Sequence, residues 1–172
     1  MGYDPGDRAT WKEKRVHLPA SQSVELKAFA PKVWGAICDL LGGEERIAGP
    51  CRWGDAFVAN LGVGADQPWA PPSAQYVPIN GRWHKDGDFF RHFLDSPEQA
   101  LLTIILWSDI QTRGGGTFLA CDSVAPVARL LKAHPEGLLI EELTAAVSPL
   151  VKECHDFVEV TGQIGDVLLM HP

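Results

Sequence analysis

The segment GRWHKDGDFF at residues 81–90 carries a histidine and two aspartates close together. If residues 82–86 form a strand, alternate side chains lie on one face, so His84 and Asp86 can reach the same metal ion while Lys85 points the other way. A His-x-Asp pair is weak evidence by itself, because a surface histidine beside solvated acids has the same pattern. The pair needs a third ligand from elsewhere in the chain.

The chain end, TGQIGDVLLMHP at residues 161–172, supplies a candidate for that third ligand. Its apolar run predicts a strand that delivers His171 at its tip. Two histidines and one carboxylate, with two of them adjacent on one strand, match the facial triad of non-haem Fe(II) sites. This arrangement leaves coordination positions open for a bidentate cosubstrate and dioxygen.

Three segments are predicted to be helical, and the first two of them show helical spacing of apolar side chains, with proline or glycine near an end. The first is expected to start at Pro31 and stop at Gly42, and the second can be capped by Asp122 or Ser123. The third is expected to be only a turn or two, limited by Pro149. The segments are PKVWGAICDLLGG (residues 31–43), DSVAPVARLLKAHP (122–135) and EELTAAVSPLVKE (141–153).

From residue 51 onward, short segments bounded by Gly, Pro, Asp or Asn predict strands. They are WGDAFVANLGV, LLTIILW, GTFLAC, DFVEVTG and DVLLM. Many short strands with few helices indicate a mainly β fold with flanking helices, of the sandwich or jelly-roll type. We expect a single domain over residues 1–172. Within it, residues 1–50 form a helical and loop support, and residues 51–172 form the jelly-roll core with the metal site.

The composition restricts the function classes. A chain of 172 residues, 45% of them hydrophobic, is long enough for one sizeable core, and a net charge of −7 disfavours nucleic-acid binding. The four cysteines form no CxxC pair, which predicts reduced thiols rather than a zinc ribbon or a disulfide framework. No apolar run approaches the roughly 20 residues that span a bilayer, and the start lacks a signal-peptide pattern. We therefore expect a soluble cytoplasmic protein without membrane or nucleic-acid partners.

Most of the second half of the chain carries a family resemblance. The segments GRWHKDGDFFRHFLDSPEQALLTIILWSDI, GGGTFLACDSVAPVARLLKAHPEG and GDVLLMHP resemble the phytanoyl-CoA dioxygenase superfamily of Fe(II)- and 2-oxoglutarate-dependent oxygenases. The resemblance implies a double-stranded β-helix, a cupin-like jelly roll, with His84, Asp86 and His171 as Fe(II) ligands and no further catalytic residues. It implies hydroxylation of a small organic substrate with dioxygen, while 2-oxoglutarate becomes succinate and carbon dioxide. The carboxylate of Asp86 favours hydroxylation over halogenation.

The resemblance also predicts a residue that this chain does not contain. In the superfamily a basic residue, usually Arg, follows the distal histidine by about ten residues and pairs with the far carboxylate of 2-oxoglutarate. Here the sequence stops one residue after His171, so we expect a truncated chain that lacks the last jelly-roll strand and holds 2-oxoglutarate poorly. The chain contains other arginines, but none of these four matches the family position: Arg52, Arg82, Arg91 and Arg113.

Alternatives stay open at single positions and for the whole chain. Thr103 and Trp107 share a strand face and are candidates for binding the cosubstrate, although ordinary core packing explains them equally well. Asp88 replaces Asp86 as ligand if the strand continues past the glycine between them. For the chain, the alternatives are a cupin-like metal-binding jelly roll with other chemistry, such as an isomerase or a zinc site, and a noncatalytic fragment. The sequence does not indicate the substrate or the oligomeric state.

Overall fold

Short antiparallel strands and α-helices alternate along the chain, and the strands form two-stranded sheets. The computed structural model of the protein describes residues 4, 6–12, 15–60, 68–75, 83–98 and 100–172. The chain divides into two compact units, Met1–Pro68 and Trp69–Pro172. Short strands together with helices are present as expected, whereas the mainly β, jelly-roll character of the fold and the single-domain organisation stay predictions.

The first unit contains two strand pairs and two helices. The strand β1 (Arg15–Leu18) pairs antiparallel with β4 (Phe57–Asn60), and β2 (Ser23–Glu25) pairs antiparallel with β3 (Arg52–Gly54). The last two strands come from a segment that the sequence assigned to the jelly-roll core, whereas they pair within the first unit. Residues 61–63 of that predicted strand lie outside the described residues. The elements are β1 (Arg15–Leu18), β2 (Ser23–Glu25), α1 (Leu26–Phe29), α2 (Pro31–Leu41), β3 (Arg52–Gly54), β4 (Phe57–Asn60) and the 3-10 helices Arg8–Thr10 and Glu44–Arg46.

The helix predicted near residue 31 is confirmed as α2. Proline occupies its first turn, where a missing N–H costs nothing, and Gly42 ends it with φ 84°, a left-handed conformation that glycine adopts without strain. Ile37 is buried, whereas Leu40 is exposed. The helix therefore buries a narrower apolar face than its sequence predicts.

The second unit contains the remaining strands and helices, in the order β, β, α, α, β, β. The strand β5 (Leu102–Ile105) pairs antiparallel with β8 (Val167–Met170), and β6 (Phe118–Ala120) with β7 (Phe157–Glu159). The β5–β8 pair therefore encloses the β6–β7 pair along the sequence. All four strands were predicted, and each is shorter than its predicted segment. The elements are β5 (Leu102–Ile105), β6 (Phe118–Ala120), α3 (Val124–Ala133), α4 (Ile140–Leu150), the 3-10 helix Val151–Glu153, β7 (Phe157–Glu159) and β8 (Val167–Met170).

The core of the second unit lies on α3 and α4. Leu143 is fully buried among Leu131, Val147 and Val151, and the Trp83 ring packs against this cluster with its centroid 5.5 Å from the Phe157 ring. The apolar residues of both helices repeat at helical spacing, which places them on one side. This cluster holds the two helices together and anchors the start of the segment that contains His84.

The ends of these two helices differ from the sequence-based expectation. Ser123 is the N-cap of α3 but makes no side-chain cap hydrogen bond. The Asp122 carboxylate instead accepts the backbone N–H of His155 at 2.9 Å, joining the start of α3 to the segment before β7. The α4 helix has 11 residues rather than a turn or two, with Pro149 in its last turn, where little helix remains for proline to disrupt.

Candidate functional site

Residues 83–90 form an irregular loop rather than the strand that the sequence analysis assumed. The backbone bends at Asp86, and its Oδ1 lies 3.4 Å from Nε2 of His84, with both side chains about half exposed. The hydrogen bond from His84 holds the pKa of the Asp86 carboxyl below its usual value, helped by the charges of His84 and Lys85 and opposed by burial. His84 and Asp86 are thus brought together by a bend in the loop.

The loop is fixed by a histidine that the sequence analysis treated as a surface or locally hydrogen-bonded residue. The His92 ring is completely buried, and its Nε2 lies 2.6 Å from the carbonyl oxygen of Gly87, the residue after Asp86. Its backbone pairs in both directions with Leu138. Of the two predicted alternatives for His92, the local hydrogen bond is confirmed and the surface position is wrong. The aromatic residues around it, FFRHF, were the available sequence signal for burial.

The chemistry of His92 suits this anchoring role. Burial lowers the pKa of its imidazole below the usual 6.5, although the hydrogen bond to the Gly87 carbonyl and the charge of Glu98 raise it. The Phe90 ring lies 4.3 Å away, centroid to centroid. A neutral imidazole can donate from one nitrogen only, so the bond to Gly87 assigns the proton to Nε2.

A cavity of about 440 Å³ lies in the second unit, within the range of about 300–1,000 Å³ that is usual for small-molecule sites. The strand β6, the helix α3 and the end of α4 supply most of its apolar lining. Among the described residues, the polar side chains that line it are His84, Lys85, Cys121, Ser123, Cys154 and His171. Two of the three predicted metal ligands therefore share one cavity.

His171 follows directly after β8, which pairs with β5 in a register that sets Met170 opposite Leu102. Its side chain is exposed, and its Nδ1 lies 3.3 Å from the Pro172 carbonyl oxygen. Asp86 does not line the cavity. The structure thus brings His84 into contact with Asp86 and into the same cavity as His171.

The three predicted metal ligands have donor atoms that suit a metal ion, and two of them, His84 and Asp86, lie in contact. Imidazole nitrogen and carboxylate oxygen are suitable donors for iron, and His84 and Asp86 are neighbours. In the described part of the chain, however, no group of three or more His, Cys, Asp or Glu side chains is placed so that it could hold a metal. The third donor, His171, shares the cavity without completing such a group.

Lys85 lies elsewhere than the sequence analysis expected. Its predicted direction, opposite to His84, depended on a strand, and because the segment is a loop both side chains line the same cavity. Lys85 Nζ donates to the Asp86 carbonyl oxygen at 3.2 Å and lies 5.7 Å from the centre of the Phe90 ring. Burial lowers the pKa of the Lys85 ammonium, and the charge of Asp86 acts against this. No sequence signal marks this position.

Other predicted or alternative site residues lie outside the cavity lining. Thr103 stands opposite Leu169 within the β5–β8 pair, and Trp107, just beyond β5, is 53% exposed. Asp88 is exposed. The structure brings none of Thr103, Trp107 and Asp88 into the lining that contains His84 and His171.

The arginines occupy other positions. Arg52 donates to Ser23, and Arg91 donates to the Gly137 carbonyl oxygen. Arg113 lies over the Trp69 ring. None of these three lines the cavity, and Arg82 lies outside the described residues.

Two of the four cysteines, all of which are free thiols, also line the cavity. Burial, together with the charge of Asp122 and a hydrogen bond to it, raises the pKa of Cys154 to about 11. Burial and the charges of Asp156 and Asp122 raise the pKa of Cys121. Both thiols therefore stay protonated near neutral pH, which disfavours a thiolate ligand or nucleophile.

Comparison of the chain with models of known protein families, with curated proteins and with solved structures gives no match. The likeness to the phytanoyl-CoA dioxygenase superfamily therefore rests on the residues of this sequence and stays a prediction. None of the helices in the described ranges combines the length and apolar character that crossing a membrane requires.

Proposed function

We propose that this chain carries the site of an Fe(II)- and 2-oxoglutarate-dependent dioxygenase that hydroxylates a small organic substrate. One observation carries the proposal: Nε2 of His84 lies 3.4 Å from Oδ1 of Asp86, and His84 lines the same cavity as His171. These three residues would hold the iron. When bound, iron supplies the activation of dioxygen that couples substrate hydroxylation to the conversion of 2-oxoglutarate to succinate and carbon dioxide.

The chain's own residues contribute position and enclosure. The bend at Asp86 presents its carboxylate to His84, and the bond from His92 to the Gly87 carbonyl fixes the next residue. The apolar lining surrounds an organic substrate and limits the access of water to it. Asp86, a carboxylate rather than a small residue, supports hydroxylation instead of halogenation.

The proposed fold around this site is a cupin-like double-stranded β-helix. Its support is the nested antiparallel pairing, in which β5–β8 encloses β6–β7 along the sequence. A jelly roll is a long hairpin rolled up, so its strands pair in this nested order. The cytoplasmic location and the absence of nucleic-acid and membrane partners stay predictions from composition.

The first experiment tests the cosubstrate chemistry. Fe(II) and 2-oxoglutarate are added to the purified chain without oxygen, and the visible absorption spectrum is recorded. We expect a metal-to-ligand charge-transfer band, followed by formation of succinate once oxygen is admitted. Absence of the band at saturating Fe(II) and 2-oxoglutarate contradicts the oxygenase proposal.

The second experiment tests the ligand assignment with a matched pair of variants. Asp86→Ala should weaken Fe(II) binding, measured calorimetrically, by more than the roughly 10- to 100-fold that loss of an outer-shell partner costs. Asp88→Ala, which removes an exposed carboxylate outside the cavity, should leave the affinity unchanged. Equal affinities of the two variants would indicate that Asp86 is not a ligand.

A second candidate is a metal-binding jelly roll with other chemistry, such as a cupin-like isomerase or a zinc site. It is favoured by the lining of the cavity, where the described residues include no arginine to pair with the far carboxylate of 2-oxoglutarate. Metal analysis of protein purified without added iron distinguishes the two. Stoichiometric zinc, together with indifference to 2-oxoglutarate, supports this second candidate.

A further inference from the structure

The cavity is apolar over most of its surface. Side chains such as Phe118, Val127, Leu131, Val147 and Met170 line it from four different elements. Such a lining favours a ligand with an apolar body, because each buried apolar group is removed from water without losing a hydrogen bond.

The Lys, Arg, Asp and Glu side chains that line the cavity, among the described residues, carry positive charge only. Among the described lining residues, Lys85 is the one Lys or Arg, and neither Asp nor Glu takes part. This is the reverse of the chain as a whole, which carries a net charge of −7. An anionic group inside the cavity therefore meets the ammonium of Lys85 and no Asp or Glu side chain among the described lining residues.

The position of the Lys85 ammonium suits a ligand contact. The one hydrogen bond that its Nζ makes within the described ranges goes to the Asp86 carbonyl oxygen at 3.2 Å. An ammonium has three N–H donors, so further donors remain for an anion. The Phe90 ring, 5.7 Å away, covers the ammonium on one side and reduces its hydration.

We propose that this cavity binds a small apolar monocarboxylic acid, whose carboxylate pairs with Lys85 and whose hydrocarbon part lies against α3, α4 and β6. The proposal names the substrate class of the proposed oxygenase and to that extent rests on the proposed function. A neutral analogue of the same length loses the charge-assisted contact. Without iron, which would hold the 2-oxoglutarate of the proposed reaction, a short dicarboxylate places a second charge against apolar side chains, which carries a large desolvation cost.

Binding of octanoate, measured by titration calorimetry without iron or 2-oxoglutarate, tests the proposal. We expect octanoate to bind, and Lys85→Met to weaken it roughly tenfold or more, the cost of one hydrogen bond to a charged group. The affinity for 1-octanol should be the same in both proteins, and succinate should not displace octanoate. Lys132→Met, which removes an exposed lysine of α3 outside the lining, is the control and should bind octanoate unchanged.

Lys85→Arg keeps the positive charge and should keep most of the affinity for octanoate, so it tests the proposal even if Lys85→Met does not fold. The proposal is overturned if the folded parent chain does not bind octanoate, or if Lys85→Met binds it as tightly as the parent. Because the assay contains no iron, a negative result here leaves the charge-transfer experiment unaffected, and the two proposals can fail separately.

Discussion

Two walls of the cavity are built in different ways, while β6 and the residues around the end of β8 supply most of the rest of its lining. One wall consists of α3 and α4, whose facing side chains form the core cluster around the fully buried Leu143. The other is the loop at residues 83–94, which contains no helix or strand and in which the Phe89 side chain is 70% exposed. The helical wall is stabilised by packing, whereas the loop depends on a few polar contacts.

The helical wall therefore contributes mainly to stability, and the loop supplies the groups for the proposed chemistry. The helical wall contributes apolar surface, and the loop contributes His84, Lys85 and the neighbouring Asp86. Functional groups on a loop held by a packed scaffold are a common arrangement, because a loop can present polar side chains that a core would have to bury. The following changes test whether the two walls are independent.

The largest effect is expected from a cavity-creating substitution in the helical wall. Leu143→Ala removes a fully buried side chain from the core cluster and should lower the free energy of unfolding by about 2–5 kcal/mol. Urea denaturation measures the change. The control Ile164→Ala, at a side chain that is 66% exposed, should stay within about 0.5 kcal/mol of the parent. Similar values for both variants would contradict the central role of the helical core.

A smaller effect is expected from the residue that anchors the loop. His92→Leu removes the donor to the Gly87 carbonyl, and we expect a loss of about 1–3 kcal/mol in unfolding free energy. Fe(II) affinity should fall as well, because Asp86 precedes the released carbonyl. His92→Gln, which can still donate a hydrogen bond, should recover part of that affinity. If His92→Leu leaves Fe(II) affinity unchanged, the hydrogen bond does not position the loop.

The same histidine predicts a pH dependence. Burial lowers the pKa of His92 below 6.5 in the folded protein, so the unfolded chain binds the proton more readily. The stability that His92 contributes is therefore fully present above about pH 6.5 and is lost as the pH falls through the folded pKa. Urea denaturation between neutral and mildly acidic pH should show a smaller loss in His92→Leu than in the parent. An identical pH profile would mean that His92 is not buried neutral.

The smallest effect is expected at the start of α3. Where an N-cap serine hydrogen-bonds to the helix, its replacement by alanine typically lowers the unfolding free energy by about 1 kcal/mol. Because the Ser123 side chain makes no such bond, Ser123→Ala should change the unfolding free energy by well under that amount. A loss of the full capping value would show that the helical wall depends on its cap as well as on packing.

Elements with strong local signals were predictable from sequence. Pro31 and Gly42 mark the two ends of α2, and four short apolar segments became β5, β6, β7 and β8. The strands β1 and β2 were not predicted, because at four and three residues they are too short to give a distinct sequence signal and they pair with partners far along the chain. Segment 83–90 was misread because a strand and a bent loop both place alternate residues close together.

The candidate site was predictable only in its residue types. The sequence by itself determined that His84 and Asp86 are near neighbours, since two residues apart they meet in a strand or in a bend. Only the tertiary structure decided that His171, Lys85 and the free thiols of Cys121 and Cys154 share a cavity with His84, and that His92 fixes the loop. Those relations depend on the packing of β8 against β5 and of the loop against α3 and α4. Such packing joins residues far apart in the chain, and local patterns carry no information about it.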